Sequence, residues 1–411
     1  MTTFVTTFTR TDAIALDEAD PLAGLRDAFI LPGDVIYLDG NSLGPLTHEA
    51  KRRVAAAVDN EWGEGLIRSW NTAGWVDLPR KVAGKIAPLI GARAEDVAVC
   101  DSTSVNLFKV LSAALDRAPP RGGVLSDIAN FPTDLYIAEG VSALKGARLR
   151  LESDPVAAID DEVAAVMLTE VDYRTGRRHN MEEVTRKAHE AGALMIWDLA
   201  HSTGAFPVSL DAAGADFAIG CGYKYLNGGP GAPAFLWVAP RHQNATPAIR
   251  GWFGHAAPFA FKPRFEPADG VQRFVSGTAP VLSMTALDAA LDVFAGVDMA
   301  AVRQKSVALC DLMIERVEVR CGGALTLASP RAAEERGSQV SFRHADGYAI
   351  MQALIAEGVI GDFRAPDILR FGFTPLYTRF VDVYDAVEVL AEIIDSGSWD
   401  RAEFHKRAAV T

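Results

Sequence analysis

Cysteine is scarce in this sequence. The 411 residues include four cysteines, Cys100, Cys221, Cys310 and Cys321. They form no CxxC pair and no Cys/His cluster with the spacing of metal ligands, so the sequence predicts neither a disulfide framework nor a metal site. We expect all four to be reduced thiols that pack as small apolar side chains.

Positive charge and long apolar runs are also rare. The chain has 40 Lys and Arg against 53 Asp and Glu, which gives a formal net charge of −13. Because an acidic surface repels nucleic acids and anionic lipids, we expect neither as a partner. No apolar run approaches the roughly 20 residues that cross a bilayer, and the N-terminal segment lacks the apolar core of a signal peptide. The expectation is therefore a cytoplasmic protein whose ligands are small molecules.

Apolar runs alternate with amphipathic helices between residues 50 and 290. The runs VAAVMLTEV (163–171), ALMIWDLA (193–200) and DFAIGCGY (216–223) are typical of strands that are buried on both faces. The segment MEEVTRKAHEAG (181–192), between the first two runs, has the periodicity of a helix that ends at Gly192. This strand–helix–strand order predicts an α/β fold with a mainly parallel sheet.

The pattern changes near residue 290. A long amphipathic helix, MAAVRQKSVALCDLMIERVEV (299–319), is followed by shorter strands and helices. A chain of 411 residues is also longer than one ordinary domain. We predict an N-terminal segment (1–55), a large domain (56–290) and a smaller α+β C-terminal domain (291–411).

Two side chains at strand ends carry the strongest chemical signal. Asp198 ends one predicted strand, and Lys224 follows the next one after a glycine-rich turn. Alone, either residue would be a turn former or a surface charge. Together they face the crevice at the carboxyl ends of the strands, where α/β sheets bind ligands. A lysine amine can hold pyridoxal phosphate (PLP) as a Schiff base while a carboxylate keeps its ring nitrogen protonated. His201 is then expected beside the ring.

Two further segments follow apolar runs. Residues 101–106 (DSTSVN) open a helix with hydroxyls and backbone N–H groups, which suit a cofactor phosphate. The same pattern is equally typical of a simple helix cap. Residues 130–134 (NFPTD) place Phe131 either on a planar cofactor ring or in the core before a turn. Both segments fit a PLP site, and neither requires one.

The ordered motifs resemble those of the kynureninase family, in the class V branch of the fold type I PLP enzymes. The resemblance runs from about residue 15 to residue 395. It rests on YLDGNSLGPL (37–46), EWGEGLIRSW (61–70), FPTD (131–134), WDLAH (197–201), GYKYLNGGPG (222–231), GWFGH (251–255) and RFGFTPLY (370–377). It implies the PLP-dependent transferase fold, with a large mainly parallel domain and a smaller α+β domain.

The resemblance also implies roles for individual residues. Lys224 is the Schiff-base lysine, Asp198 is the partner of the pyridine nitrogen, and Tyr223 is a proton donor. Arg370 pairs with the substrate carboxylate, which suits its planar guanidinium. The implied cofactor-binding residues are Thr103, Ser104, Phe131, Asp134, Thr169, Asp198, His201, Tyr223, Lys224, Trp252 and Thr278, and the further substrate-binding residues are Asn41, Ser42 and Trp62.

The implied reaction is the hydrolytic cleavage of the Cβ–Cγ bond of L-kynurenine to anthranilate and L-alanine, in tryptophan catabolism and the kynurenine pathway towards NAD biosynthesis. Members of the family are homodimers with active sites at the subunit interface, so a homodimer is implied here. Animal members tend to carry Asn where this chain has Thr278. The threonine resembles the bacterial type, which implies that unsubstituted kynurenine is preferred to 3-hydroxykynurenine.

Two other functions stay open on the sequence alone. One is another class V activity, either that of an aminotransferase or that of a cysteine desulfurase. A desulfurase needs a nucleophilic cysteine on a mobile loop, whereas Cys310 lies within a predicted helix and Cys321 follows a strand-like run. The other is a non-catalytic PLP-binding protein, which has no use for Arg370 as a carboxylate partner.

Overall fold

The computed structural model describes residues 8–118 and 122–407 of the chain. Residues 1–7 of the predicted N-terminal segment and 408–411 of the predicted C-terminal domain lie outside the described residues. The helices are α1 (Arg10–Glu18), α2 (His48–Ala56), α3 (Ser69–Thr72), α4 (Leu78–Ile86), α5 (Thr103–Arg117), α6 (Pro132–Lys145), α7 (Met181–Glu190), α8 (Val281–Ala290), α9 (Met299–Arg320), α10 (Gly347–Ala356) and α11 (Phe380–Ser396).

The strands are β1 (Ile36–Tyr37), β2 (Val97–Val99), β3 (Gly123–Asp127), β4 (Arg148–Glu152), β5 (Val163–Thr169), β6 (Leu194–Asp198), β7 (Phe217–Gly220), β8 (Phe235–Val238), β9 (Thr326–Leu327), β10 (Gln339–Arg343), β11 (Val359–Ile360), β12 (Asp362–Arg364) and β13 (Ile368–Gly372). Within the described residues, no helix is both long enough and apolar enough to cross a membrane.

Seven strands form the large sheet, in the order β2-β8-β7-β6-β5-β3-β4. The neighbouring pairs from β7 to β4 are parallel, and β8 is antiparallel to both β2 and β7. Strands β5 and β7 are buried along their whole length, which explains why their sequences are continuous apolar runs. The predicted α/β fold with a mainly parallel sheet is confirmed.

Four strands form a second, antiparallel sheet in the order β12-β13-β10-β9. Helices α9, α10 and α11 pack with it in a separate hydrophobic core that includes Leu309, Phe342 and Leu390. Strand β1 pairs in parallel with β11, so that Ile36 lies opposite Val359. The N-terminal region is thereby bound to residues far along the chain.

Helices α5 and α6 begin close to the carboxyl ends of β2 and β3. Ser102 caps α5 by accepting a hydrogen bond from the backbone N–H of Val105 at 3.4 Å. Helix α6 starts at Pro132, which suits the first turn because its missing N–H has no helical partner there. Both helix N-termini therefore face the edge of the sheet where β5 and β6 also end.

A buried carboxylate, Asp216, ties the elements together just before β7. Its oxygens lie 2.7 Å from Nε2 of His189, 2.7 Å from Nε2 of His242 and 2.7 Å from Nη2 of Arg241, and they accept the Met195 N–H at 2.8 Å. Burial alone would raise the pKa of Asp216, but these hydrogen bonds outweigh burial and hold the pKa well below its ordinary value. The charged carboxylate therefore stabilises the fold.

We expect Asp216→Asn to lower the free energy of unfolding by about 2–3 kcal/mol at pH 7, because Arg241 loses its counter-charge and the two imidazoles and the Met195 N–H lose a charged partner. The folded-state pKa lies below the unfolded value of about 3.9. The contribution is therefore complete above that pH and is lost as the pH falls below it. Denaturant unfolding of both proteins at pH 7 and pH 3.5 should show the difference shrinking in acid.

Glu190→Gln is the matched control, because it removes a carboxylate whose ion pair with Arg186 is solvent-exposed. Its effect should stay within about 0.5 kcal/mol. An Asp216→Asn protein as stable as the wild type at pH 7 would contradict the structural role of this carboxylate.

Candidate active site

A cavity of about 960 Å³ opens at the carboxyl edge of the large sheet. This volume is at the upper end of the range for small-molecule sites. Ten of the predicted site residues line it: Thr103, Ser104, Phe131, Asp134, Thr169, Asp198, His201, Tyr223, Lys224 and Thr278. They come from distant parts of the chain, and the ends of the central strands bring them together.

Lys224 reaches the cavity from the turn after β7. Its Nζ lies 3.0 Å from Nε2 of His201. Burial, and then the neighbouring cations of Lys224 and Arg370, lower the pKa of His201 well below its ordinary value. The imidazole is therefore neutral near pH 7, and its Nε2 can accept a hydrogen bond from the lysine amine. This contact orients the amine inside the cavity.

The backbone of the lysine turn is shaped by close contacts. Asn227 has a positive φ of 58°, a conformation that asparagine tolerates better than most residues. The N–H of Gly44 donates to the carbonyl of Tyr223 at 2.8 Å. A Cβ atom on Gly44 would lie 2.4 Å from the carbonyl oxygen of Lys224, so only glycine allows this approach. The predicted motif at residues 37–46 therefore supports the lysine turn.

Two carboxyl groups, those of Asp198 and Asp134, lie in the cavity wall. Asp198 ends β6, and its Oδ1 accepts the N–H of Ala200 at 2.7 Å. Burial raises the pKa of Asp198, while the nearby Lys224 opposes this rise. Burial and then the charge of Asp198 raise the pKa of Asp134 well above its ordinary value. Ionisation of one carboxyl therefore disfavours ionisation of the other, so the pair keeps a shared proton to higher pH than two separate carboxyls would.

Thr169 connects this pair to the start of α6. It lies opposite Asp198 in the parallel register of β5 and β6, and its Oγ1 donates to Oδ1 of Asn130 at 2.6 Å. Oδ1 of Asn130 also accepts the backbone N–H of Phe131 at 2.7 Å. The Phe131 ring is 44% exposed and meets the ring of Tyr173 edge-on at 5.3 Å. One face of the Phe131 ring is thus available to a planar ligand.

Another part of the cavity wall is suited to an anion. Ser102, Thr103 and Ser104 line the cavity at the N-terminus of the 15-residue helix α5, where N–H groups and the helix dipole favour negative charge. Tyr223 also lines the cavity. The proximity of Cys221, together with burial, raises the pKa of Tyr223 above its ordinary value, so its phenol stays protonated and can donate a hydrogen bond.

Three of the predicted substrate-binding residues lie behind the cavity wall. The guanidinium of Arg370 donates to the carbonyl of Tyr173 at 2.6 Å, to Oγ of Ser42 at 2.7 Å and to Oδ1 of Asp362 at 2.7 Å. Asn41 is fully buried, and its Nδ2 donates to Gln339 at 3.4 Å. Arg370 thus touches Tyr173, which lines the cavity, but does not line it itself.

Two predicted tryptophans lie outside the cavity lining. Trp62, in a π-helical segment (Ala57–Gly65), is 56% exposed. Trp252 is 40% exposed and packs on Phe253, with ring centroids 4.2 Å apart. Phe253 does line the cavity. A single copy of the chain therefore does not bring Trp62 or Trp252 to the cavity that holds Lys224.

The structure adds residues that sequence reasoning did not assign to the site. Tyr173 and Asp101 line the cavity, and Asn130 joins Thr169 to Phe131. Asp101 and Tyr173 come shortly after the ends of β2 and β5, so the strand-end rule that selected Asp198 could have selected them too. Asn130 lies within the segment 130–134, but its hydrogen bonds depend on the pairing of distant strands.

The cavity fits pyridoxal phosphate chemically. The cofactor needs an amine, a carboxylate partner for its ring nitrogen, an aromatic face and an anion site. Lys224, Asp198, Phe131 and the start of α5 offer these in one cavity. In addition, Oδ2 of Asp134 is buried without a hydrogen-bond partner among the described residues. Such an atom is costly unless a ligand compensates it.

Comparison with known proteins gives consistent matches. A family model described as the kynureninase C-terminal domain matches residues 302–390. A kynureninase of Burkholderia mallei (strain SAVP1) is 57% identical over 414 residues, which cover 98% of this chain and 100% of that protein. A kynureninase of Pseudomonas fluorescens is 55% identical with the same coverage.

Solved structures with a similar fold are distant in sequence. A cystine C–S lyase in complex with its product, cysteine persulfide, is 17% identical with a TM-score of 0.75, covering 88% of this chain and 98% of the lyase. A variant of that lyase, with glycine covalently linked to its PLP cofactor, is 16% identical with a TM-score of 0.76, over 88% and 97% of the two chains. The cysteine desulfurase CsdA of Escherichia coli is 18% identical with a TM-score of 0.76, over 91% and 98%. At these identities the likeness shows the fold alone, which is that of the fold type I PLP enzymes.

We expect Asp134→Asn to stabilise the cofactor-free protein at neutral and higher pH. The folded-state pKa of Asp134 is raised above the unfolded value of about 3.9. The folded wild type therefore binds more protons, and its stability declines as the pH rises above that value. The amide removes this penalty, so thermal unfolding should show a gain of about 1–2 kcal/mol at pH 8 and a smaller gain near pH 4.5.

Asp161→Asn is the control, because it removes a carboxylate from an exposed position. It should leave the pH dependence of stability unchanged. If Asp134→Asn destabilised the protein equally at both pH values, the two carboxyls could not be sharing a proton as described.

Proposed function

This chain belongs to the kynureninase family, and we infer that it is a PLP-dependent hydrolase that converts L-kynurenine and water to anthranilate and L-alanine. The observation that carries this inference is the 57% identity to a kynureninase over 98% of the chain. It agrees with a cavity that combines Lys224, Asp198 and an anion site. The roles of individual residues are proposals that the geometry supports.

We propose that Lys224 holds the cofactor and then moves the substrate protons. When bound, PLP supplies an electron-accepting ring. Asp198, with Asp134 beside it, would hold a proton on the ring nitrogen. The Lys224 amine would remove the Cα proton of the substrate. Neutral His201, 3.0 Å from Nζ, can accept a hydrogen bond from that amine without adding a second positive charge.

Tyr223 is proposed to supply the proton that completes the alanine product. The net reaction adds water across the Cβ–Cγ bond, so the hydroxyl goes to the carboxyl group of anthranilate and a proton goes to Cβ. The phenol remains protonated at neutral pH because its pKa is raised. Nζ of Lys224 lies 5.8 Å from the Tyr223 ring. Both side chains line the same cavity, which supports Tyr223 as the donor.

The other proposed contacts divide between cofactor and substrate. Phe131 would stack on the ring, the hydroxyls of Thr103 and Ser104 would bind the phosphate, and Thr278 would contact the cofactor, while Thr169 would orient Asp198. Arg370 would pair with the substrate carboxylate. Because Ser42 already accepts from Arg370, it would lie beside that carboxylate, with Asn41 next to it in the chain. Trp62 would contact substrate only from a second subunit.

A desulfurase is the nearest alternative, since distant structural neighbours have that activity. It needs a reactive thiolate. All four cysteines are buried. Cys100 lines the cavity, but burial raises its pKa to about 11, so the group is a neutral thiol at pH 7. The geometry therefore favours carbon–carbon bond hydrolysis over persulfide chemistry.

We also propose that unsubstituted kynurenine is preferred to 3-hydroxykynurenine. Thr278 lines the cavity with a short side chain. A hydroxyl added to a substrate gains most where the protein offers a dedicated polar partner, and the shorter side chain of threonine offers less reach than asparagine. Such a preference is worth only a few kcal/mol at most.

The proposed assembly is a homodimer, working in the cytoplasm in tryptophan catabolism. Aromatic side chains at the cavity rim support the dimer: Phe259 is 60% exposed, Phe261 is 76% exposed and Trp252 is 40% exposed. They contact one another, with ring centroids 5.7 to 6.5 Å apart. An exposed aromatic cluster of this kind is typical of a protein interface. Burial against a second copy would complete the rim of the cavity.

The function is tested by mixing the purified protein and PLP with L-kynurenine and following anthranilate fluorescence. We expect turnover in the wild type and a loss on the order of 10³-fold or more in Lys224→Ala, because the group that moves the proton is gone. Lys224→Arg keeps the charge and should be equally inactive.

The same assay with 3-hydroxykynurenine, followed by its own absorbance, gives the ratio of rates for the two substrates. An active Lys224→Ala protein would overturn the assignment. A wild type that binds PLP but releases no product from either substrate would return the function to the other class V activities.

The dimer is tested by changing Phe261 to Asp. A charge in an apolar interface should raise the dimer dissociation constant at least about tenfold, since desolvating an unpaired carboxylate costs more than 1.4 kcal/mol. Sedimentation velocity at several protein concentrations measures this shift. Leu144→Asp, at a 74% exposed position on α6 away from the rim, is the matched control. A wild type that sediments as a monomer at every concentration would refute the dimer.

A further inference from the structure

A lysine is completely buried one turn and a half into α5. Lys109 has no exposed surface, which is rare for lysine unless its charge is compensated. Its ammonium forms an ion pair with Asp101 and donates to Oδ1 of Asn106 at 3.3 Å and to Sγ of Cys100 at 3.6 Å. An ammonium has three donors. All three of these partners belong to the connection between β2 and α5 or to the first turns of α5.

Asp101 is held in an unusual backbone conformation. Its φ is +49°, which costs free energy in any residue other than glycine. Its carbonyl accepts the N–H of Ala234 at 2.9 Å, and its side chain pairs with Lys109. In addition, Nδ2 of Asn106 donates to the carbonyl of Cys100 at 2.8 Å. Contacts on both sides therefore fix the turn that delivers Ser102 and Thr103 to the cavity.

The charge of Asp101 is a problem for an anion site. Its side chain is 25% exposed and lines the same cavity as Ser102, Thr103 and Ser104. A carboxylate beside a phosphate dianion would repel it, and the repulsion is strong where the local dielectric constant is low. A buried cation paired with Asp101 cancels this repulsion without contacting the phosphate.

We propose that Lys109 is a positioning residue for the cofactor phosphate, which acts by neutralising Asp101 and by holding the β2–α5 turn in place. This inference rests on the proposed function, because it requires PLP to place its phosphate at the start of α5. Asp101 and Lys109 together form a neutral pair behind the protein hydroxyls that would bind the phosphate. Neither residue takes part in the bond-breaking steps.

The test compares PLP with pyridoxal, which lacks the phosphate, as ligands of the full-length chain freed of cofactor. Binding is followed by quenching of tryptophan fluorescence and by the visible band of the lysine-bound cofactor. We expect Lys109→Met to raise the dissociation constant for PLP at least about tenfold, and that for pyridoxal less than about threefold. A general loss of structure would weaken both ligands alike.

A double variant separates charge from folding. In Asp101→Asn with Lys109→Met the exposed carboxylate is gone, so the affinity for PLP should recover to within about threefold of the wild type. Lys145→Met is the matched control, since it removes a lysine whose ion pair with Asp116 at 2.6 Å lies at the far end of α5. Its affinity for PLP should not change.

The outcomes distinguish this inference from the proposed function. If the wild type binds PLP no tighter than pyridoxal, the phosphate site itself is wrong and both proposals fall. If the wild type prefers PLP and Lys109→Met keeps that preference, the phosphate site stands and the role of Lys109 is refuted. If the double variant binds PLP as weakly as Lys109→Met does, neutralisation of Asp101 is refuted as the cause of the weaker binding.

Discussion

The interaction on which the site depends is that of two buried carboxyls, Asp134 and Asp198, with one lysine, Lys224. Burial disfavours a charged carboxylate, and for Asp134 the neighbouring carboxylate of Asp198 adds to this effect. The pKa shifts of Asp134 and Asp198 record this cost. A lysine amine in the same cavity offsets part of it. A ligand with a protonated ring nitrogen would offset more of this cost. The free site is therefore suited to a cation of that kind.

The sheet is what forces these groups together. Because β5 and β6 are parallel and in register, Thr169 and Asp198 end side by side. The next strand, β7, leads into the turn of Lys224 at the same edge. Stability is supplied elsewhere, by networks such as the one around Asp216 before β7. The cavity can therefore keep unfavourable charge contacts while distant contacts maintain the fold.

Much of this arrangement was predictable from sequence because it follows from strand ends. Asp198 and Lys224 were selected by their place after apolar runs, and the α/β fold with a mainly parallel sheet was predicted and is confirmed. Lys109 gave no such signal, since a lysine in a helix is usually solvated. Its burial depends on how α5 packs against the sheet. The partners of Arg370 were equally hidden, because Asp362 faces it only through the antiparallel pairing of β12 and β13.

The surroundings of Arg370 impose a condition on substrate binding. Its guanidinium already donates to Asp362, Ser42 and the carbonyl of Tyr173. These contacts use four of the five guanidinium N–H groups, so a substrate carboxylate could pair with two N–H groups only if one of these acceptors were exchanged. Asp362 pairs with the guanidinium through two oxygens and is buried, so it is the least replaceable. Exchange of Ser42 would release a side chain two residues before Gly44, which packs on the Lys224 turn. Recognition of a substrate carboxylate by Arg370 would thereby be coupled to the segment that supports the lysine turn.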